Sequence, residues 1–513
     1  MTDFKALAAF IARETATAPE RLLLNRSKWP DIDMDVVVNT LQGAPRMRRK
    51  VPSWFASEAQ SSGLIFPTAL CTQQCSGQSA ALYKARLAYT IASSKGSPSP
   101  VTSSNPLFVT SSNPLFVTSS NPLFVTSSNP LFVTSSEVER SQIPQRSAPS
   151  EHVRFAHPSH FVIAGCDRQS PCGPLPFMRP WAVIQFGWST PLEFPSCTIA
   201  DLTGGLGVDS WAFAGCFKQV LYNEANSLLA AAAKHNFEVL GLSNITVSSK
   251  LLEPGQVQTI LEGFKPDIIF LDPARRSAEG RKVFLLEDCQ PDVLTLKEEL
   301  FEACPNLLLK LSPMADITML LQRLGNVREV HVVAFDGECK ELLLWLQRGW
   351  NAPATLIVHE DGHTIVQPAN ISNPFSFDTE YKEVSIDTET LTGNILFEPG
   401  KALLKAGLFN YPCAAGYTKL ARHTHLYLAP QNYPDKPLPG KYFKIEKVLP
   451  ASSKTFKEIA RTGIAAEVST HNLPIKAEDL RARLHATPSS SHHLFAAHTP
   501  TSDLLFLTTR LSR

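Results

Sequence analysis

The stretch Ile199-Ala-Asp-Leu-Thr-Gly-Gly-Leu-Gly-Val-Asp209 decides how the rest of the chain is read. An apolar strand stub ends in Asp201, and a Gly-rich turn then opens a helix expected from Val208 to Ala214. Gly205 and Gly207 let the backbone pass close to a ligand with no Cβ in the way. The helix N-terminus offers free N–H groups to polar ligand atoms. A partner stretch follows, Asp267-Ile-Ile-Phe-Leu-Asp-Pro-Ala-Arg-Arg276. Its buried-type strand delivers Asp272 to the C-terminal end, the edge at which open α/β sheets bind ligands. Two such edges in one α/β unit point to a nucleotide-like cofactor with chemistry beside it.

Spacing narrows the cofactor. Gly205-Leu-Gly207-Val-Asp-Ser210 lacks the third glycine of a dinucleotide site, and no Lys follows as a Walker loop requires. The form Asp-x-x-x-Gly-x-Gly resembles motif I of class I S-adenosylmethionine-dependent methyltransferases. A second strand, Gln219-Val-Leu-Tyr-Asn-Glu224, ends in an acid 23 residues after Asp201. In that family the corresponding acid holds the ribose hydroxyls, and a carboxylate suits the task because it accepts two hydrogen bonds. The competing reading makes Glu224 a cap for the helix expected from Ala225 to Phe237.

Composition fits a globular chain: 513 residues, 43% hydrophobic and 19% charged, a length that suggests two to four domains. The opening residues form an amphipathic helix with an early acid rather than a signal peptide. No apolar run reaches the ~18 residues of a membrane span, so a cytoplasmic enzyme with no membrane partner is expected. The ten cysteines show no paired C-x-x-C spacing. Neither a disulfide framework nor a metal site is therefore expected. The net charge of +1 hides an asymmetry: from Phe397 to Arg513, sixteen Lys and Arg face eight Asp and Glu. A surplus of this kind suggests an anionic partner, most often nucleic acid; a solvated charged face is the alternative.

Residues 1–92 read as a helical domain, with helices at the start, from Asp35 to Leu41, and from Gln74 to Ala92. Between the last two lies Arg46-Met-Arg-Arg-Lys-Val-Pro-Ser-Trp54, either a phosphate-touching cluster or an exposed turn with Trp54 packed inward. Residues 93–197 read as a low-complexity insertion, expected to be disordered. Within it Val-Thr-Ser-Ser-Asn-Pro-Leu-Phe occurs four times between residues 101 and 136. Asn-Pro in every copy breaks helices and strand ladders, and eight residues are too few for most solenoid units.

Residues 198–350 alternate strand and helix as a doubly wound sheet demands. Seven strands are expected, near 199–202, 219–223, 245–247, 267–272, 306–312, 329–335 and 341–346. The last two are separated only by Asp336-Gly-Glu-Cys-Lys340, too short for a helical crossover, so they must be antiparallel. This Rossmann-like sheet with a terminal hairpin is the methyltransferase arrangement. Residues 351–396 form a connector containing a hairpin with Asp361-Gly362 as its type I′ turn. Small α+β units follow.

Together these pieces resemble a group of bacterial class I methyltransferases with a ferredoxin-like segment, here 397–440, and a C-terminal THUMP-like domain, here 441–513. Further matching strings are Gln74-Cys-Ser-Gly-Gln-Ser-Ala-Ala-Leu-Tyr-Lys-Ala85, Asp288-Cys-Gln-Pro-Asp292, Lys310-Leu-Ser-Pro-Met314, Glu338-Cys-Lys-Glu-Leu342, Phe397-Glu-Pro-Gly400 and Pro439-Gly-Lys-Tyr-Phe443. The resemblance covers nearly everything outside 93–197. It implies S-adenosylmethionine as cofactor and an RNA substrate, tRNA or rRNA. Asp201, Thr203, Gly204, Gly205, Gly207, Asp209 and Glu224 would hold the cofactor. Asp272, Pro273 and Arg275 would serve the chemistry, and Arg276, Lys310 and Ser312 the substrate. Gln74 and Ser76 would close over the cofactor.

Asp272-Pro-Ala-Arg275 replaces the family's Asp-Pro-Pro-aromatic and lacks the ring that stacks on an extruded base. The target atom therefore stays open. The alternative is an RNA-binding protein on a methyltransferase scaffold whose cofactor binding is vestigial or regulatory.

Overall fold

The computed structural model describes residues 3–15, 17–57, 61–94, 196–275, 286, 289–369, 373, 375–378, 381, 390–430 and 437–511. The octapeptide insertion, Arg276 and Asp288 lie outside them. Residues 1–99 and 194–513 belong to one compact unit.

Among the described residues, five α-helices precede the first strand: α1 (Phe4–Glu14), α2 (Pro19–Leu24), α3 (Met34–Lys50), α4 (Ala69–Gln74) and α5 (Gln78–Ser93). Asp3 and Asp33 start α1 and α3 by accepting first-turn N–H groups with their side chains, which satisfies donors the helix itself leaves free. The sequence suggests that the second helix stops at Leu41, but α3 runs on through Pro45 to Lys50. Its buried face, Val37, Thr40, Gly43 and Met47, continues across the proline. That burial outweighs the one hydrogen bond Pro45 cannot make. The basic cluster is thus helical, and Trp54 beyond it packs inward.

The large sheet is built from β1 (Thr198–Asp201), α6 (Val208–Ala214), β2 (Gln219–Asn223), α7 (Ser227–Val239), β3 (Ile245–Ser248), α8 (Val257–Leu261) and β4 (Ile268–Leu271). A short ribbon of β5 (Ala274–Arg275) and β6 (Cys289–Gln290) follows, then α9 (Val293–Ala303), β7 (Asn306–Leu311) and α10 (Ile317–Leu324). The last strands are β8 (Val327–Phe335), β9 (Glu338–Gln347), β10 (Thr355–Glu360) and β11 (His363–Pro368). Their order is β11-β10-β8-β9-β7-β4-β1-β2-β3. β9 runs antiparallel between β7 and β8, as the short connection requires; it is only Asp336-Gly337, because Glu338, Cys339 and Lys340 already belong to β9.

The hairpin expected as a connector joins this sheet instead, β10 pairing in parallel with β8. Leu356, Ile357 and Val358 of β10 are wholly buried and cover what would otherwise be an apolar sheet edge. Asp361 and Gly362 turn the hairpin with φ of 46° and 87°, as a type I′ turn needs. On one face α8, α9 and α10 pack a core of Leu271, Leu300, Leu309, Leu320 and Leu344. On the other, the side chain of Asn236 in α7 exchanges two hydrogen bonds of 2.8 Å with the backbone of Ile65. Ala232 of the same helix joins a core with Phe4, Phe10, Val37 and Ile65, so the N-terminal helices are docked on α7.

The C-terminal part comprises β12 (Ile395–Pro399), α11 (Lys401–Lys405), α12 (Tyr411–Ala414), β13 (Thr418–Ala421), β14 (Thr424–Leu428) and β15 (Gly440–Pro450). It continues with α13 (Ser453–Thr462), β16 (Ile464–Ala465), β17 (Glu467–His471), α14 (Ala477–Arg483), β18 (Ala486–Thr487), β19 (His492–His498) and β20 (Asp503–Arg510). Seven of these strands make one sheet, β13-β14-β12-β15-β20-β19-β17. β15 pairs with β12 on one side and β20 on the other, so the ferredoxin-like and THUMP-like segments share a ladder. Glu360 at the end of β10 accepts the N–H groups of Lys401 and Ala402 at 3.1 and 3.0 Å. A buried carboxylate on these free N-terminal donors ties the two sheets together.

Candidate cofactor and active site

Asp201 ends β1 and is wholly buried. Its carboxylate accepts from the hydroxyl of Ser210 at 2.6 Å and from the N–H of Thr203 at 3.2 Å. It therefore holds the turn against α6. Burial pushes its carboxyl up to about 8, opposed by the Ser210 bond and reinforced by the nearby Asp209.

The three glycines of the turn have different surroundings. A Cβ on Gly204 would lie 2.1 Å from the Tyr222 ring, and one on Gly207 would lie 2.5 Å from Phe237. Gly205, at φ +54°, faces open space, with nothing within 4 Å of its would-be Cβ. Two glycines admit core rings, and the third opens onto the ligand edge. Tyr222 fixes the turn further by donating its hydroxyl to the Gly205 carbonyl at 2.5 Å.

Glu224 spans the same turn. Its carboxylate accepts from Gly205 N–H at 3.0 Å and from Asn226 N–H at 2.9 Å. The helix cap is Asn226, whose side chain accepts from Leu229 N–H. Two bonds leave the carboxylate further acceptor sites. Thr203 links both motifs, its hydroxyl accepting from the N–H of Asp272 at 2.6 Å.

Asp272 follows β4, and Lys310 near the end of β7 donates to its carboxylate. Burial works against the Lys310 charge, but Asp272, Glu341 and Asp209 outweigh it and push its pKa above the usual lysine range. A fixed cation therefore stands at Asp272. Pro273 is buried, and Arg275 lies in the β5 ribbon. The Ser312 hydroxyl accepts from Met314 N–H at 3.1 Å, bracing the turn that closes the β7 edge.

Asp209 points elsewhere. It accepts from the Ser76 hydroxyl at 2.8 Å and lies 3.2 Å from the ammonium of Lys84. Lys84, wholly buried in α5, also donates to both oxygens of Glu341, at 2.9 and 2.8 Å, and to Ser76 at 3.1 Å. Burial raises the Glu341 carboxyl, with Lys84 and Lys310 opposing. This network joins α5, α6 and β9 behind the cofactor turn. Its sequence signal was a lysine on the apolar face of α5, among Ala80, Ala81, Ala85 and Ala88. Ser76 reaches the cofactor turn, whereas Gln74 is exposed.

Among the described residues no cluster of three or more His, Cys, Asp or Glu could hold a metal. No helix there is long and apolar enough to cross a membrane, and the cysteines there are free thiols.

A parallel sheet ending in an antiparallel hairpin, with a glycine turn, an acid after β2 and Asp272 after β4, defines the class I methyltransferase scaffold. Residues 396–437 match the model of a ferredoxin-like domain, and residues 440–510 match that of a THUMP domain-like segment. No curated protein matches the chain. A crystal structure of a candidate methyltransferase from Porphyromonas gingivalis W83 is similar over 99% of this chain and 98% of its own, at 23% identity and TM-score 0.65. A predicted O-methyltransferase from Agrobacterium tumefaciens is similar over 34% of this chain and 85% of its own, at 18% identity and TM-score 0.25. For an rRNA methylase from Streptococcus thermophilus the shares are 30% and 87%, at 15% identity and TM-score 0.22. The chain has the fold of a class I S-adenosylmethionine-dependent methyltransferase with ferredoxin-like and THUMP-like segments.

Proposed function

We propose that this chain is a cytoplasmic enzyme that transfers a methyl group from S-adenosylmethionine to a base of tRNA or rRNA. The observation that carries the reading is the open face of Gly205, framed by Glu224 on one side and by Thr203 with Asp272 on the other. The fit is physical: a Cβ-free cradle, a carboxylate with spare acceptor sites, and a polar strand end beside them. Gly204, Gly205 and Gly207 would border the cofactor's amino-acid end, and Glu224 its ribose. Asp201, Thr203 and Asp209 would set the shape of the turn from behind.

Bound there, the cofactor supplies an electrophilic methyl on a sulfonium. Glu224 and the turn around Gly205 would hold the cofactor, which would supply that methyl to a nucleophilic atom of the base presented beside Asp272. The protein's main work is then positioning and exclusion of water. Asp272 accepts a hydrogen bond from the target base and orients its attacking atom. Lys310 keeps its positive charge beside that carboxylate and fixes its rotamer. Pro273, Arg275 and Arg276 would contact the substrate. RNA as substrate is supported by the THUMP-like match and by the basic surplus beyond Phe397.

The test is transfer of tritiated methyl to bulk tRNA and rRNA. Labelled RNA is expected with the wild-type chain, with a fall of about 10²-fold or more in Asp272→Asn. Cofactor binding without transfer to RNA would favour the scaffold reading.

A further inference from the structure

The basic run at the end of α3 has no part in the site described so far. Arg46, Arg49 and Lys50 share one helix face at spacings of three and four residues. A helix C-terminus favours cations in its last turn, so this end of α3 alone decides nothing. Among the described residues, however, no Asp or Glu pairs with the cluster. Arg46 donates to the Thr72 hydroxyl at 3.2 Å, Arg48 lies over the Phe55 ring, and Arg49 is exposed.

Lys50 fixes where the cluster sits. Its ammonium donates to the carbonyls of Gln73 at 2.6 Å and Cys75 at 2.9 Å. The next residue, Ser76, meets Asp209 behind the cofactor turn. Burial depresses the Lys50 pKa against the opposing pull of Cys75, and Arg46, Lys310 and Lys340 depress it further. Lys310 of β7 contacts Asp272, and Leu311 of β7 pairs with Leu342 of β9, so Lys340 lies just beyond the same strand end. Lys50 holds the segment whose Ser76 meets Asp209. Lys340 is exposed and, among the described residues, pairs with the exposed Glu338 at 2.6 Å, a solvent-side pair that contributes little. Asp272, Glu341 and Asp209 offset the inner cation Lys310, whereas Arg49 and Lys340 stand exposed at the outer end.

We propose that Arg46, Arg49, Lys50 and Lys340 form a track for the sugar–phosphate backbone of the RNA whose base is presented at Asp272. The proposal rests on the RNA-methyltransferase reading above and adds α3 to the RNA surface assigned to the C-terminal segment. Residues 46 to 50 alone span about 6 Å of helix, and β9 carries the charge further. This spread suits successive phosphodiesters better than one phosphate group.

The experiment is fluorescence anisotropy of fluorescein-labelled bulk tRNA with the full chain, titrated across KCl concentrations. In Arg49→Gln/Lys340→Gln the slope of log K against log salt becomes shallower by about 1.4. Affinity falls about 25-fold at 0.1 M salt, on the basis of roughly 0.7 per single-strand phosphate contact. Lys218→Gln/Lys265→Gln, at the N-terminal ends of β2 and β4 and so at the opposite end of the strands from Asp272, keeps the wild-type slope. A second measurement needs no variant: bound tRNA protects Lys340 of the wild-type chain from acetylation. Wild-type slope in the first double variant, or an unprotected Lys340, overturns the track while RNA methylation stands. A wild-type chain that neither binds nor methylates tRNA or rRNA overturns both.

Discussion

Gly205→Ala separates cofactor binding from folding. At Gly204 and Gly207 an added Cβ would strike Tyr222 at 2.1 Å or Phe237 at 2.5 Å. Either change overpacks a buried ring, at roughly 1–3 kcal/mol. At Gly205 the Cβ meets nothing within 4 Å, and the structural cost is confined to an L-residue at φ +54°, about 1–2 kcal/mol. The Gly205 N–H bond to Glu224 survives the change. The new methyl nevertheless projects into the space assigned to the cofactor. Differential scanning fluorimetry should show a loss of a few degrees for Gly205→Ala and more for Gly204→Ala. Calorimetry should show S-adenosylmethionine affinity reduced at least tenfold, about 1.4 kcal/mol, in the folded Gly205→Ala protein. Wild-type affinity in that variant would refute the placement of the cofactor on this turn.

Two further predictions concern the buried charges. Lys84→Met leaves Asp209 and Glu341 without their shared cation, so denaturant unfolding should show a loss of about 3–5 kcal/mol, with Lys84→Arg losing less. Burial pushes the Asp201 carboxyl up to about 8 from the ordinary carboxylate value of 3.8. Its raised pKa contributes stability that is fully present below about pH 4 and lost as pH rises through about 8, on the order of a few kcal/mol. Melting of the cofactor-free chain across pH 5–8 should therefore fall more steeply in wild type than in Asp201→Asn; parallel curves would show that Asp201 ionises freely.

The cofactor turn was legible because each element is encoded locally: apolar strand, terminal acid, glycine turn and helix lie within the seventeen consecutive residues from Thr198 to Ala214. The β8–β9 and β10–β11 hairpins were legible from connection length and from Asp361-Gly362. Long-range pairings were not. Lys84 meets Glu341 across 257 positions, and nothing near either residue names the other. The parallel docking of β10 on β8, and the shared ladder of β12, β15 and β20, depend on which sheet edges remain open, a tertiary matter. The helix expected to stop at Leu41 runs on through Pro45 because its buried face continues on both sides of the proline. The glycines were read as a single ligand-facing set, whereas Tyr222 and Phe237 account for two of them.

The central claim is that the turn around Gly205 holds S-adenosylmethionine. Its most direct test is a calorimetric titration of S-adenosylmethionine into the full chain, with Gly205→Ala beside it. The account predicts one site of micromolar affinity in the wild type, weakened at least tenfold in the variant. A wild-type chain that is folded by its melting transition and releases no heat of binding would contradict it.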